Sequence, residues 1–487
     1  MKGHFICRIF FSWLFLVLPQ LAAAEVTGLD ITEYDLSMRL DLEQRGPSAP
    51  LNTISATAGI TFVNKNESPV SRVPVILYRL LQVEEVRNDK AELLQFTQRL
   101  GRLEDWELYQ ANVVTIDLDR PLPAGGTATI EIDYAGPMVG IQESGMLYVQ
   151  DSLDPEFTII RGESAIYPHL AEPTMDSLQY RFGRGGDAFD QFVSITVPDD
   201  VVVASGLVLS DTRTKDGMTT WNYRSLRPNF QIILSIAAYE VIEMDAVRIY
   251  FFSEDSEGAQ RVATGIGDAM TLFEDWFGAL VEDSSFAVVQ IPEWFGSQAL
   301  RPTVILDARA FRSPSSMPEL YHEISHFWNV KDPSLTPSRW SEGLAMYLQE
   351  IVWRELDEDS EDLGSTWNNA FQGLKRQLDE HPEYRDVPLI QSGERNLTSV
   401  LSYRGGQLMF ALLERGLGQQ RLLELLGAFY QRYAASGATS EEFAEFVVSQ
   451  APNAKRVIDE WFLGSAYSDL VLAEPDFDAL VLRYQSK

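Results

Sequence analysis

Two histidines stand four residues apart in Tyr321-His322-Glu323-Ile324-Ser325-His326-Phe327-Trp328, with a glutamate directly after the first. On a helix this spacing turns both imidazoles to one face, close enough to share a tetrahedral zinc. Glu323 then stands where its carboxylate reaches a water on the metal and can act as a general base. Leu320, Phe327 and Trp328 imply a buried helix, which argues against two merely exposed histidines. A catalytic zinc takes three protein ligands and keeps one position open. Downstream, Ser338-Arg339-Trp340-Ser341-Glu342-Gly343-Leu344-Ala345-Met346-Tyr347 offers the third. Glu342 opens a stretch whose Leu344, Met346, Tyr347 and Leu348 are largely apolar. A carboxylate turned inward there is costly unless a cation pairs with it. The competing reading of Glu342 alone is a first-turn glutamate favoured by the helix dipole. His169 and His381 have no partner pattern and read as structural or surface residues.

These residues need helices to carry them, and the chain supplies helices only in its second half. From residue 25 to about 243 the pattern has period two, as in Tyr34, Leu36, Met38, Leu40 and in Ile54, Ala56, Ala58, Ile60, Phe62. Turn clusters such as Pro121-Leu-Pro-Ala-Gly-Gly126 separate the runs, which predicts an antiparallel β-sandwich. Beyond Met244 come a buried strand at 247–252, a helix over 258–280, and strands at 286–291 and 303–306. An irregular stretch, 292–302, lies between the last two. Helices are predicted over 315–330 and 338–356, and the remainder is mostly helical. The expected organisation is multidomain α+β, with a signal peptide at 1–24, a β-sandwich domain at 25–243 and a catalytic domain with a helical C-terminal part at 244–487.

His322-Glu323-x-x-His326 followed by Trp340-x-Glu342-Gly343 resembles the gluzincin metallopeptidases, in particular the aminopeptidase N (leukotriene hydrolase-like) family. Tyr167-Pro168 and Ile195-Thr-Val-Pro198 resemble segments of that family's saddle-shaped first domain. The resemblance implies a thermolysin-like catalytic domain, a peptide substrate, one zinc ion held by His322, His326 and Glu342, and Glu323 as the catalytic base. Ser402-Tyr403-Arg404-Gly405-Gly406 resembles the segment whose tyrosine hydrogen-bonds the tetrahedral intermediate, so the resemblance assigns Tyr403 that role. Fifteen residues separate His326 from Glu342, fewer than is usual in the family, and His326-Phe-Trp-Asn-Val-Lys331 is closer to the glycyl aminopeptidases. The family's substrate-gripping segment falls on Gly296-Ser297-Gln298-Ala299-Leu300, with Ala299 at the position of the amine-binding glutamate. Gly296, Ser297 and Gln298 are candidate substrate-binding residues because a strand edge there can pair with a peptide backbone. Glu163, in Arg161-Gly-Glu-Ser164, is a candidate replacement for the missing carboxylate. Exo- and endopeptidase readings stay open at this stage, beside a non-catalytic peptide-binding relative.

The bulk properties narrow the partners. The formal net charge is -32, and removing Lys2 and Arg8 with the leader takes it to -34. Such a surface repels nucleic acid and anionic lipid. Lys2 and Arg8 precede an apolar run at 9–18, and Leu21-Ala-Ala-Ala24 makes a small-residue cleavage site, so an exported, periplasmic or secreted protein is expected, with an uncleaved N-terminal anchor as the alternative. The run is short for a bilayer span, which predicts no stable membrane insertion once the leader is removed. The single cysteine, Cys7, lies inside that leader, which excludes thiol catalysis and cysteine-ligated metal from the remainder.

Overall fold

The computed structural model describes residues 28–43, 51–146, 149–182, 188–281, 285–334, 338–357, 363–392 and 400–485. The expected leader at 1–24, with Cys7, lies outside them. Among the described residues no helix is long and apolar enough to cross a membrane.

The N-terminal half is β-rich. Seven strands form one sheet in the order Val208–Lys215, Met218–Arg224, Asp190–Pro198, Leu29–Asp41, Thr53–Asn64, Thr127–Pro137, Gln82–Asn88. A three-stranded sheet, Val70–Tyr78, Trp106–Leu122 and Gln95–Leu103, accompanies it. The alternation seen in the sequence is the alternation of burial: Tyr34, Leu36, Met38 and Leu40 are buried and their neighbours exposed. Pairing is antiparallel except where Leu29–Asp41 runs parallel to Asp190–Pro198. That pair is joined through most of the domain, so no hairpin constrains its direction.

A second, five-stranded sheet has the order Tyr239–Glu243, Val247–Phe252, Phe286–Ile291, Thr303–Asp307, Gln298–Leu300. Its two outer pairings are antiparallel and its two inner ones parallel. The boundary expected at 243/244 falls inside this sheet, because Tyr239–Glu243 pairs with Val247–Phe252. The irregular stretch at 292–302 contains the edge strand Gln298–Leu300, only three residues long and hidden from a periodicity reading by its flanking Gly and Pro.

Each face of this sheet has its own partner. Val247, Ile249, Val288, Val304 and Leu306 pack with the helix Ser256–Phe277 and with Leu320 and Ile324 of the helix Met317–Ser325. The opposite face, with Tyr250, Val289, Ile291 and Ile305, packs on Phe157, Ile159 and Ile233 of the β-rich half. The edge strand therefore lies where the zinc-motif helix and the β-rich half meet. C-terminal helices, among them Ser341–Leu356 and Gly406–Leu417, close the core from the other side.

Candidate zinc site and active centre

The predicted helix at 315–330 is shorter than expected. It runs Met317–Ser325, with Pro318 in its first turn where a missing N–H is harmless, and continues as a single 3-10 turn, His326–Trp328. His322 and His326 still share a face. Their ring centroids lie 4.9 Å apart at 86°. The helix predicted at 338–356 starts at Ser341, so Glu342 sits in its first turn.

The three expected ligands converge. Oε2 of Glu342 lies 3.3 Å from Nε2 of His322 and 3.5 Å from Nε2 of His326. Two ligand atoms on one tetrahedral zinc, at bond lengths of about 2.0–2.1 Å, stand about 3.3–3.4 Å apart, so these separations fit a shared ion. His322, His326 and Glu342 form the one group among the described residues whose donor atoms meet closely enough for a metal, all within 4.8 Å of one another. Oε2 of Glu342 is shielded from solvent and receives no well-formed hydrogen bond. A buried carboxylate oxygen facing two imidazole nitrogens without a donor is what a cation completes.

The electrostatics agree. Burial opposes charge on His322, yet Glu342, Glu323 and Gln349 outweigh it and raise its pKa. Burial alone would raise Glu342, but His326 and His322 hold it well below the ordinary carboxylate range. Both shifts express one demand, a positive charge between the rings and the carboxylate, which zinc meets.

The orienting partners were not anticipated. Nδ1 of His322 lies 3.1 Å from Oε1 of Gln349, which fixes the proton on Nδ1 and leaves Nε2 its lone pair. Nδ1 of His326 lies 2.6 Å from the Asn329 side-chain amide. The contacting atom is Nδ2 of Asn329; exchanging the amide's nitrogen and oxygen, an assignment made from the hydrogen-bond network, turns Oδ1 to the ring and selects the same tautomer as at His322. Gln349 is seven residues after Glu342 and Asn329 three after His326. Helical register from the ligands was the available signal.

Glu323 is buried beside His322, with 6 % of its surface exposed. Tyr403 is 39 % exposed and its ring lies parallel to that of His322, at 6.1 Å and 5°. It stands in a single π-helical turn, Leu401–Gly405, immediately before the helix Gly406–Leu417. The structure thus brings the base, three ligands and tyrosine to one centre.

The candidate substrate residues divide between the two faces of the edge strand. Ser297 donates to Oε1 of Glu319 (2.6 Å), one helical turn before Glu323. Ala299, expected at the amine position, is buried in the core on the same helical face. The side chain of this strand that meets Glu163 is Gln298, whose Nε2 donates to Oε1 at 3.1 Å. Alternation along the strand explains this, since residues 298 and 299 point to opposite faces. Gly296 precedes the strand with φ +76°, a left-handed conformation suited to glycine. Glu163 is buried and also accepts from Nε2 of Gln231 at 2.7 Å. Burial raises its pKa, against the nearby Arg161 guanidinium, which is itself paired with the buried Asp151 at 2.7 Å.

The fold is that of the M1 zinc metallopeptidases. The M1 zinc metallopeptidase of Deinococcus radiodurans superposes with a TM-score of 0.60 at 17% identity, covering 89% of this chain and 94% of that one. Yeast LTA4 hydrolase superposes with a TM-score of 0.64 at 13% identity, covering 90% and 68%. By sequence, Aminopeptidase M1-B of Oryza sativa subsp. japonica is 21% identical over 447 residues, and Aminopeptidase M1 of Arabidopsis thaliana 17% over 298 residues. The chain spans 46% and 34% of the lengths of these two plant proteins. No family model matches the chain.

Proposed function

We propose that this chain is a zinc-dependent peptidase that cleaves next to a free N-terminus. The observation that carries the first part is the convergence of His322, His326 and Glu342 at tetrahedral-edge distances, beside the buried Glu323. Zinc held by His322, His326 and Glu342 would supply Lewis acidity, lowering the pKa of a water toward neutrality and polarising the scissile carbonyl. Glu323 accepts the proton released by that water and returns it to the departing amine. The Tyr403 hydroxyl donates to the oxygen on which negative charge develops. Gln349 and Asn329 keep both imidazoles turned to the metal.

The preference for a free amine is supported by the surroundings of Glu163. Asp151, Arg161 and Glu163 carry two negative charges and one positive when ionised, so the group is one cation short. The amides of Gln231 and Gln298 both donate to Glu163, and their own oxygens are buried without a donor. An ammonium group brings three N–H donors and one positive charge, which suits such an acceptor-rich place. A structure of the Deinococcus radiodurans protein is described with a Tyr-Ser-Ala substrate, a short peptide of the size this reading requires.

The test is hydrolysis of one fluorogenic peptide series with free and acetylated N-termini, with and without chelator. Chelator-sensitive cleavage of the free peptides alone is expected. Equal cleavage of both series would replace the aminopeptidase reading with an endo- or oligopeptidase one. Zinc binding with no cleavage would leave a peptide-binding relative.

A further inference from the structure

The helices Ser341–Leu356 and Gly406–Leu417 cross where each carries a glycine. A β-carbon on Gly343 would stand 2.4 Å from Cα of Gly406, 2.6 Å from its carbonyl carbon and 3.0 Å from the carbonyl oxygen of Ser402. A β-carbon on Gly406 would stand 2.6 Å from Cα of Gly343. Every one of these obstacles is backbone, so no side-chain rotation relieves them. Non-bonded carbons settle at about 3.5–4.0 Å, and a methyl at either place forces the backbones apart by roughly 1 Å.

The crossing falls between two functional groups. Gly343 directly follows the ligand Glu342. Gly406 lies three residues after Tyr403, and its N–H closes the π-helical turn onto the carbonyls of Leu401 and Tyr403. Such turns recur at functional sites because they re-aim a side chain without ending the helix. The Tyr403 ring, more than one-third exposed, lies parallel to that of His322. Elsewhere this helix pair is joined by side chains, Gln407 Nε2 to the Met346 carbonyl (3.2 Å) and the Tyr347 hydroxyl to Glu414 (3.1 Å).

We propose that Gly343 and Gly406 are positioning residues: their backbone contact sets the separation between the metal ligand Glu342 and the hydroxyl of Tyr403. The inference rests on the peptidase reading above and on the role given there to Tyr403. A displacement of about 1 Å at a reacting centre costs on the order of 100-fold in rate, similar to the loss of one oxyanion donor. A methyl on Gly406 is therefore expected to remove the contribution of Tyr403 with the zinc ligands in place, whereas one on Gly343 also acts on its neighbour Glu342.

The test uses the full zinc-loaded chain and four variants: Gly343→Ala, Gly406→Ala, Tyr403→Phe and the double variant Gly406→Ala/Tyr403→Phe. Steady-state kinetics on a free-amine peptide, zinc retention against a competing chelator and thermal melting are measured for each. Expected for Gly406→Ala is a kcat lowered to the level of Tyr403→Phe, with KM and zinc retention changed by less than about threefold, and for Gly343→Ala a kcat lowered at least as far. The double variant is then no slower than Tyr403→Phe alone, because both changes remove one interaction. Losses that multiply in the double variant, or zinc lost in step with activity, would overturn the proposal. Gly416→Ala, where an added methyl meets open space, should keep its rate. If the glycine variants do not fold, Gln407→Leu decides: it removes an interhelical bond without adding a backbone obstacle. A hundredfold loss there overturns the glycine assignment, and a retained rate upholds it. Wild-type turnover tests the peptidase reading separately, and a Tyr403→Phe variant at full rate would overturn the positioning proposal alone.

Discussion

Glu323 and Glu163 are both buried carboxylates near the centre, yet their partners assign them different work. Glu323 adjoins His322, and in the proposed mechanism it carries a proton, worth typically about 10²–10⁴-fold in rate. Glu323→Gln keeps the shape and removes the proton acceptor. The expected outcome is one zinc per chain by elemental analysis and a kcat lowered by at least about 10²-fold. Full turnover in that variant would remove Glu323 from the mechanism. Glu163 is far from the ligands in sequence and is held by two glutamine amides. In the proposed function it meets the charge of a free amine, and a hydrogen bond to a charged group is worth about 1.5–3 kcal/mol. Glu163→Gln should therefore lower kcat/KM for free peptides by about 10- to 100-fold and leave acetylated ones unchanged. Burial raises the pKa of Glu163, so its carboxylate is ionised only above that raised value. Selectivity for the free amine should accordingly fade as pH falls, and at a higher pH than an ordinary carboxylate would set. An acid-independent selectivity ratio would count against Glu163 as the amine partner.

At the scale of elements, the site depends on how each helix presents its residues. Gln349 lies on the same helix as Glu342 but orients His322 on another, so one helix both supplies a ligand and turns its neighbour. Gln349→Ala should weaken zinc binding by about 10- to 100-fold in a chelator competition, with the fold intact. Affinity equal to wild type would show that His322 needs no such support. The convergence of the metal-binding group was legible in the sequence because four-residue spacing on a helix pairs His322 with His326, and a carboxylate turned inward on an apolar helix marked Glu342. The β-rich half was legible because alternate burial, as in Tyr34 to Leu40, recurs in strands such as Thr53–Asn64 and Asp190–Pro198. The edge strand was not. Three residues between Gly296 and Pro302 carry no period, and a shift of one position exchanges Gln298, which meets Glu163, for Ala299, which faces the core. Strands such as Gln95–Leu103 were missed for another reason, since most of their side chains are exposed and show little apolar alternation. Asn329 and Gln349 fell outside the motif because their meaning depends on ring nitrogens whose direction only the folded chain defines.

At the scale of the molecule, two sheets share one framework, and a histidine far from the zinc motif ties acid stability to the β-rich half. His169 is buried, pairs with Ile76 through backbone bonds of 2.9 and 3.0 Å, and packs on the Tyr167 ring at 4.7 Å. Its Nε2 is enclosed without a partner. Burial, and then the neighbouring Arg181, lower its pKa to about 3. His381, in contrast, is exposed beside Glu383. In the unfolded chain a histidine binds its proton near pH 6.5. Between about pH 6.5 and 3 the unfolded state therefore holds a proton that the native state refuses, and native stability falls as pH is lowered across that window. Above it neither state is charged, and below it both are. A shift of this size corresponds to a loss on the order of 4–5 kcal/mol over the whole window. His169→Gln removes the titration while keeping a polar side chain of similar length. It should cost some stability at neutral pH, where packing on Tyr167 is disturbed, but flatten the decline toward acid. Urea unfolding of both proteins at intervals from pH 7 to about pH 4, followed by intrinsic fluorescence, measures the two slopes. Parallel slopes would mean that His169 is not the group whose protonation opens the β-rich half.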